Sequence, residues 1–211
     1  MRWLGHPAVK PAVFVLWLLP AIWLLWAAAQ DQLGANPAEA LIRSLGDWTL
    51  RALVLVLLVT PLRVWSGVPW LARLRRMLGL FVFFYGSLHW LAYAWFDMGF
   101  VWQDIVGDVR KRPFILVGTV AWVLLMMLAA TSFNRAIRWL GAARWQRLHR
   151  LVYAVAVLAV LHFFWMRAGK RDFAEVAVYA GVLAALLGWR LWRWIDRQPD
   201  RSSPPVSATE R

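Results

Sequence analysis

Four histidines, at positions 6, 89, 149 and 162, are the residues of this 211-residue chain best suited to chemistry, because the chain contains no cysteine. Disulfides, thiolate zinc sites, iron–sulfur clusters and cysteine nucleophiles are thereby excluded, and any metal has to be held by histidine, carboxylate or methionine. His89, His149 and His162 fall in or at the edge of long apolar stretches. An imidazole in hydrocarbon has a donor and an acceptor that both need partners, so an intramembrane histidine marks either a functional site or a bond to a neighbouring helix. Counted along helices starting at 77 and 148, His89 and His162 stand about 18 and 21 Å in, at nearly matched depth. Two imidazoles at one depth on separate helices suit axial ligation of a single heme iron, with the porphyrin wedged among apolar and aromatic side chains. Phe83, Phe84, Phe163 and Phe164 are expected to line such a cavity.

The other candidates have several readings each. His149 begins its span roughly 20 Å along the helix from His162 and about 140° around it, so the two should not share a face. It reads as a heme or flavin contact, an alternative heme ligand, part of an inner quinone site, or a plain structural residue. A second, inner heme would need a partner ligand near that edge, where Met77 is the only nearby candidate and positions 75 and 76 are arginines. His6 precedes the first span and is expected to be exposed. Arg51, about 9 Å inside the outer edge of the second span, either snorkels to headgroups, is neutralised by Asp47 one turn earlier, or pairs with a heme propionate in the same leaflet.

The elements that must position these residues are transmembrane helices. Hydrophobic residues make up 62% of the chain, against roughly 45–50% in an ordinary soluble domain. Spans of about 20 apolar residues are the unit that satisfies its own backbone in lipid, and six are read at approximately 12–29, 45–62, 77–96, 114–132, 148–166 and 173–189. The second is the weakest, with Asp47 and Arg51 in its first turns. The expected fold is an all-α membrane protein, a six-helix transmembrane bundle forming one domain over 1–196, with a disordered tail over 197–211. A secretory signal ending near Ala27-Ala28-Ala29 is the poorer reading of the first 30 residues, because the uncharged run 11–30 is long enough to span.

The formal charge of +13 serves topology rather than nucleic-acid binding, since nearly every long segment is apolar. With the N-terminus inside, Arg2, Lys10, Arg63, Arg73, Arg75, Arg76, Arg135, Arg138, Arg144, Arg147, Arg150, Arg190, Arg193, Arg197, Arg201 and Arg211 are cytoplasmic, which is 16 of the 24 basic residues. The outer pieces, loops together with the adjoining span ends, then hold 8 of the 11 acids. Both termini are therefore expected in the cytoplasm, with the protein multi-pass in a bacterial inner membrane. Trp65, Trp70, Trp95, Trp139 and Trp145 fall near span ends, at headgroup level.

The stretches 78–89 (LGLFVFFYGSLH), 112–118 (RPFILVG), 128–132 (LAATS) and 145–153 (WQRLHRLVY) resemble the ferric-reductase-like transmembrane cytochromes, and the resemblance covers essentially the whole chain. It implies a heme b subunit in which His89, His149 and His162 are heme-associated. It also implies electron delivery to an MsrP-like periplasmic molybdopterin subunit that reduces methionine sulfoxide in oxidised envelope proteins. FMN is implied by the resemblance only, since no phosphate-cradling glycine loop is present to place it. Larger relatives carry cytoplasmic flavin and nicotinamide domains after the last span, so the expected electron donor here is the quinone pool or a separate cytoplasmic flavin reductase.

No serine–histidine–carboxylate set and no paired carboxylates occur within the spans, so the chain reads as a redox subunit without a substrate-converting site of its own. A heme-free transporter or scaffold is the rival from another class. Proton-coupled transport usually places acids mid-membrane, where only Asp47 comes close, and no inverted repeat with broken helices is evident. A cytochrome serving a different periplasmic acceptor is the third reading.

Overall fold

The computed structural model describes residues 7–169 and 171–196; His6 and the tail read over 197–211 lie outside the described residues. The described residues form α1 (Val9–Ala29), α2 (Pro37–Ser66), a 3-10 turn (Pro69–Arg73), α3 (Leu74–Phe96), α4 (Trp102–Lys111), α5 (Pro113–Ala130), α6 (Asn134–Leu140), α7 (Ala142–His149), α8 (Leu151–Ala168) and α9 (Ala174–Asp196). Six stretches are long and apolar enough to cross a membrane: α1, α2, α3 with its preceding 3-10 turn, α5, α7 with α8, and α9. Six crossings bring the chain back to the side on which it started.

The second span begins eight residues before its expected start. Asn36 caps it, its side chain accepting from the Glu39 amide at 3.2 Å, and Pro37 opens the first turn with a preset φ. Gly67, in the left-handed conformation at φ 66°, ends it. At 30 residues the helix is about 45 Å long, so its first turns, with Glu39 and Arg43, stand beyond a hydrocarbon core of about 30 Å. Pro61 lies inside this helix and has no amide to donate to the Leu57 carbonyl. The Arg190 guanidinium from α9 bonds that carbonyl instead.

Three short helices were not anticipated. On the side opposite the termini, α4 is amphipathic and buries Ile105 against Tyr93 and Ala94 of α3. It is tied down by the Tyr93 hydroxyl, which donates to Asp108 at 2.7 Å, and by the Arg112–Asp108 pair. On the side of the termini, α6 and α7 connect α5 to α8. There Arg76 of α3 donates to the Ser132 carbonyl and the Asn134 side chain, tying the link between α5 and α6 to α3.

Packing is most extensive between α2 and α3 and between α5 and α8; α3 against α5 joins the two pairs, and α9 rests on α2 and α8. The core is apolar, with Leu53, Leu57, Val82, Tyr85 and Val155 among its most enclosed members. In α1, which packs on α2 and α3, Phe14, Leu16, Trp23 and Leu25 stay exposed, as a lipid-facing helix requires.

Candidate functional site

His89 on α3 and His162 on α8 face each other across a cavity bounded by α2, α3, α5 and α8, their ring centroids 6.1 Å apart and their planes at 83°. Each ring is fixed by one backbone bond. His89 Nδ1 donates to the Ile42 carbonyl at 2.8 Å, and His162 Nδ1 donates to the Phe114 carbonyl at 2.7 Å. A carbonyl only accepts, so the proton sits on Nδ1 and Nε2 carries the lone pair of the neutral ring. Among the described residues neither Nε2 forms a hydrogen bond.

The same device supports both rings. Four residues after each accepting carbonyl stands a glycine, Gly46 after Ile42 and Gly118 after Phe114, where a side chain would otherwise occupy the space the imidazole fills. A Cβ on Gly46 would lie 3.2 Å from His89 Cε1, and one on Gly118 would lie 2.8 Å from His162 Nδ1. The second separation is below any real Cβ contact, so α5 can approach α8 this closely only through glycine.

The cavity holds about 510 Å³, within the range of cofactor sites. Apolar side chains, Leu50, Leu53, Leu125 and Val155 among them, form its walls, and Glu39, Arg43, Asp97 and Arg112 line its end on the side away from the termini. Burial raises the Asp97 carboxyl above its ordinary range, with Arg112 opposing. Asp108 holds the Arg112 guanidinium firmly charged. Trp90 and Trp122 also line the cavity, stacked at 4.7 Å with 9° between planes. Trp122 donates to Ser87 at 3.1 Å, whereas the Trp90 indole nitrogen is buried with no partner among the described residues.

These features fit a heme. The rings, 6.1 Å apart between centroids, would leave room for one metal ion between them, and the free Nε2 atoms are the ones that would hold an iron. The cavity-lining arginines and the unsatisfied indole N–H suit carboxylate groups on an otherwise apolar ligand.

The other expected site residues are distributed differently. His149 is absent from the cavity lining. It sits at the end of α7, stacked on Trp145 at 4.0 Å, with Nε2 3.2 Å from the Thr131 hydroxyl, while Met77 belongs to the main core. Arg51 is turned about 140° from Gly46 around α2. Its guanidinium lies 4.7 Å over the Trp48 ring, in a separate groove with Leu19, Pro20 and Trp23. The structure therefore does not bring Arg51 to the histidines; Arg43 and Arg112 are the cavity's arginines. Of the four expected phenylalanines only Phe163 lines the cavity. Phe83 and Phe84 pack on the main core and Phe164 stacks on Phe173. The aromatic lining comes instead from Trp90, Tyr93, Phe114 and Trp122.

Residues 45–160 match the family described as ferric reductase like transmembrane component, a stretch that includes His89 and His149 and stops two residues before His162. The chain is 64% identical over 191 residues to the protein-methionine-sulfoxide reductase heme-binding subunit MsrQ of Polaromonas naphthalenivorans, covering 90% of this chain and 87% of that one. It is 53% identical to the protein of the same name from Ralstonia nicotianae, covering 90% and 87%. To that from Xanthomonas campestris pv. campestris it is 45% identical, covering 97% and 96%. No solved structure matches it. With the histidine pair inside a six-span bundle and identity of this extent along nearly the whole chain, the protein belongs to the MsrQ family of ferric-reductase-like transmembrane proteins.

Proposed function

We propose that this chain is the heme b-carrying membrane subunit of a methionine sulfoxide reductase system, with His89 and His162 as axial ligands of one heme. The observation that carries the reading is the pair of imidazoles held by their Nδ1 atoms, 6.1 Å apart, across an apolar cavity. When bound, the heme supplies one-electron redox chemistry within the membrane. The Ile42 and Phe114 carbonyls fix the ring orientations and raise the basicity of the Nε2 atoms. Leu50, Leu53, Leu125 and Val155 keep water from the centre. Arg43, Arg112 and the Trp90 indole are donors for the propionates, a role in which they replace Arg51.

The cavity's polar end lies on the side away from the termini, which supports electron exit there to an MsrP-like periplasmic molybdopterin acceptor. Entry is then at the termini side, from the quinone pool or a cytoplasmic flavin reductase. His149, half-buried there beside Trp145, is the residue for an inner quinone or flavin contact, and FMN rests on family resemblance alone. The bundle sits in the bacterial inner membrane with both termini cytoplasmic.

Reconstitution in liposomes with quinol as reductant, and the molybdopterin acceptor with methionine sulfoxide outside, tests the reading. Sulfoxide reduction should require the protein and fall to background with His89→Ala or His162→Ala. Undiminished turnover with both substitutions would overturn it.

A further inference from the structure

The ion pairs of the described residues, Glu39–Arg43, Asp108–Arg112 and Arg167 with Asp172 and Glu175, all lie at the end of the bundle away from the termini. The opposite end holds a different arrangement. Arg75 of α3 donates to the Thr60 hydroxyl of α2, and Arg190 of α9 donates to the Leu57 carbonyl one turn away on the same helix. Their charges repel each other, and that of Arg63 adds to the repulsion at Arg75. Arg193 joins from α9, its guanidinium 5.2 Å over the Trp189 ring, which also has Arg190 at 6.0 Å. Among the described residues none of these four arginines pairs with a carboxylate.

Four like charges at the membrane end of one helix groove call for an anion. The surroundings define its character. Leu62, Val64, Trp65, Leu191 and Trp192 beside the cluster are exposed apolar surface, and Trp65 meets Trp189 edge to face at 5.7 Å, a position typical of indoles at headgroup level. A ligand that satisfies both features has an anionic head and apolar chains. We infer that the groove between α2, α3 and α9 binds the phosphodiester head of an anionic lipid, with Arg63, Arg75, Arg190 and Arg193 around the phosphate and the acyl chains along α2 and α9. Charge complementarity combined with flanking lipid-facing surface favours this occupant over a soluble phosphate.

The full-length protein, delipidated and placed in phosphatidylcholine nanodiscs with or without phosphatidylglycerol, provides the test by native mass spectrometry and thermal melting. Wild type should retain one phosphatidylglycerol and melt higher in its presence. The Arg63→Gln/Arg75→Gln double variant should bind it roughly tenfold or more weakly, while melting as wild type does in phosphatidylcholine alone. Arg138→Gln/Arg144→Gln removes the same charge from exposed positions on α6 and α7 and should leave retention unchanged. Equal losses in the two double variants would reduce the effect to diffuse surface potential and overturn the site. Equal retention of phosphatidylcholine by wild type would do the same. Displacement of the lipid by inorganic phosphate or by flavin mononucleotide would assign the cluster to a free phosphate and overturn the lipid assignment.

Discussion

The imidazole of His162 shows how much of the site is set by single atoms. One Nδ1–H bond to Phe114 determines which nitrogen faces the cavity, and His89 repeats the arrangement with Ile42. The Trp90 indole is the counterpart, a buried donor with no partner among the described residues. A buried donor without a partner costs about 1–3 kcal/mol, which a ligand acceptor would recover. Trp90→Phe should therefore reduce the stabilisation that heme confers by about 1 kcal/mol, read as a smaller rise in melting temperature between heme-free and heme-loaded protein. An equal rise in variant and wild type would remove Trp90 from the ligand's partners.

At the scale of helices, close approach is what places the histidines, and two glycines permit it. Gly118→Ala would put a Cβ 2.8 Å from His162 Nδ1, Gly46→Ala one at 3.2 Å from His89 Cε1, and Gly79→Ala meets nothing within 4 Å. Heme occupancy should fall most with the first, less with the second and not with the third, whose helix gains roughly 0.5–1 kcal/mol. Equal occupancy across the series would show that the rings do not depend on these approaches. The spans and the two intramembrane histidines were legible in the sequence because apolar length and rare intramembrane imidazoles are strong signals. The glycine partners were not: an intrahelical glycine acquires meaning only once the facing helix is known, and nothing within the stretch 112–118 sets Gly118 apart. The early start of α2 was written in Asn36, Pro37 and Glu39, but a span read from apolar length begins only at 45, past the charged Glu39 and Arg43. Of the three readings of Arg51, the propionate one needs the direction around the helix, which depth along it does not give, whereas Arg43, on the cavity side of α2, lies in what reads as a loop.

For the whole molecule, the cavity with its polar end on one side and an arginine-rich, carboxylate-poor cluster on the other give the bundle a direction. The excess of lysine and arginine on the termini side predicts that both ends face the cytoplasm. A fluorescent reporter fused after residue 211 should fold and emit, and an alkaline phosphatase fusion there should be inactive. An active phosphatase would invert the topology and place the cavity's polar end in the cytoplasm. The central claim is that His89 and His162 jointly hold one heme, and the reduced-minus-oxidised optical spectrum of purified protein, with heme quantified per chain, tests it most directly. The account predicts a b-type spectrum with stoichiometry near one, abolished or strongly shifted by His89→Ala and by His162→Ala. A heme-free protein from heme-replete cells, or a spectrum indifferent to both substitutions, would contradict it.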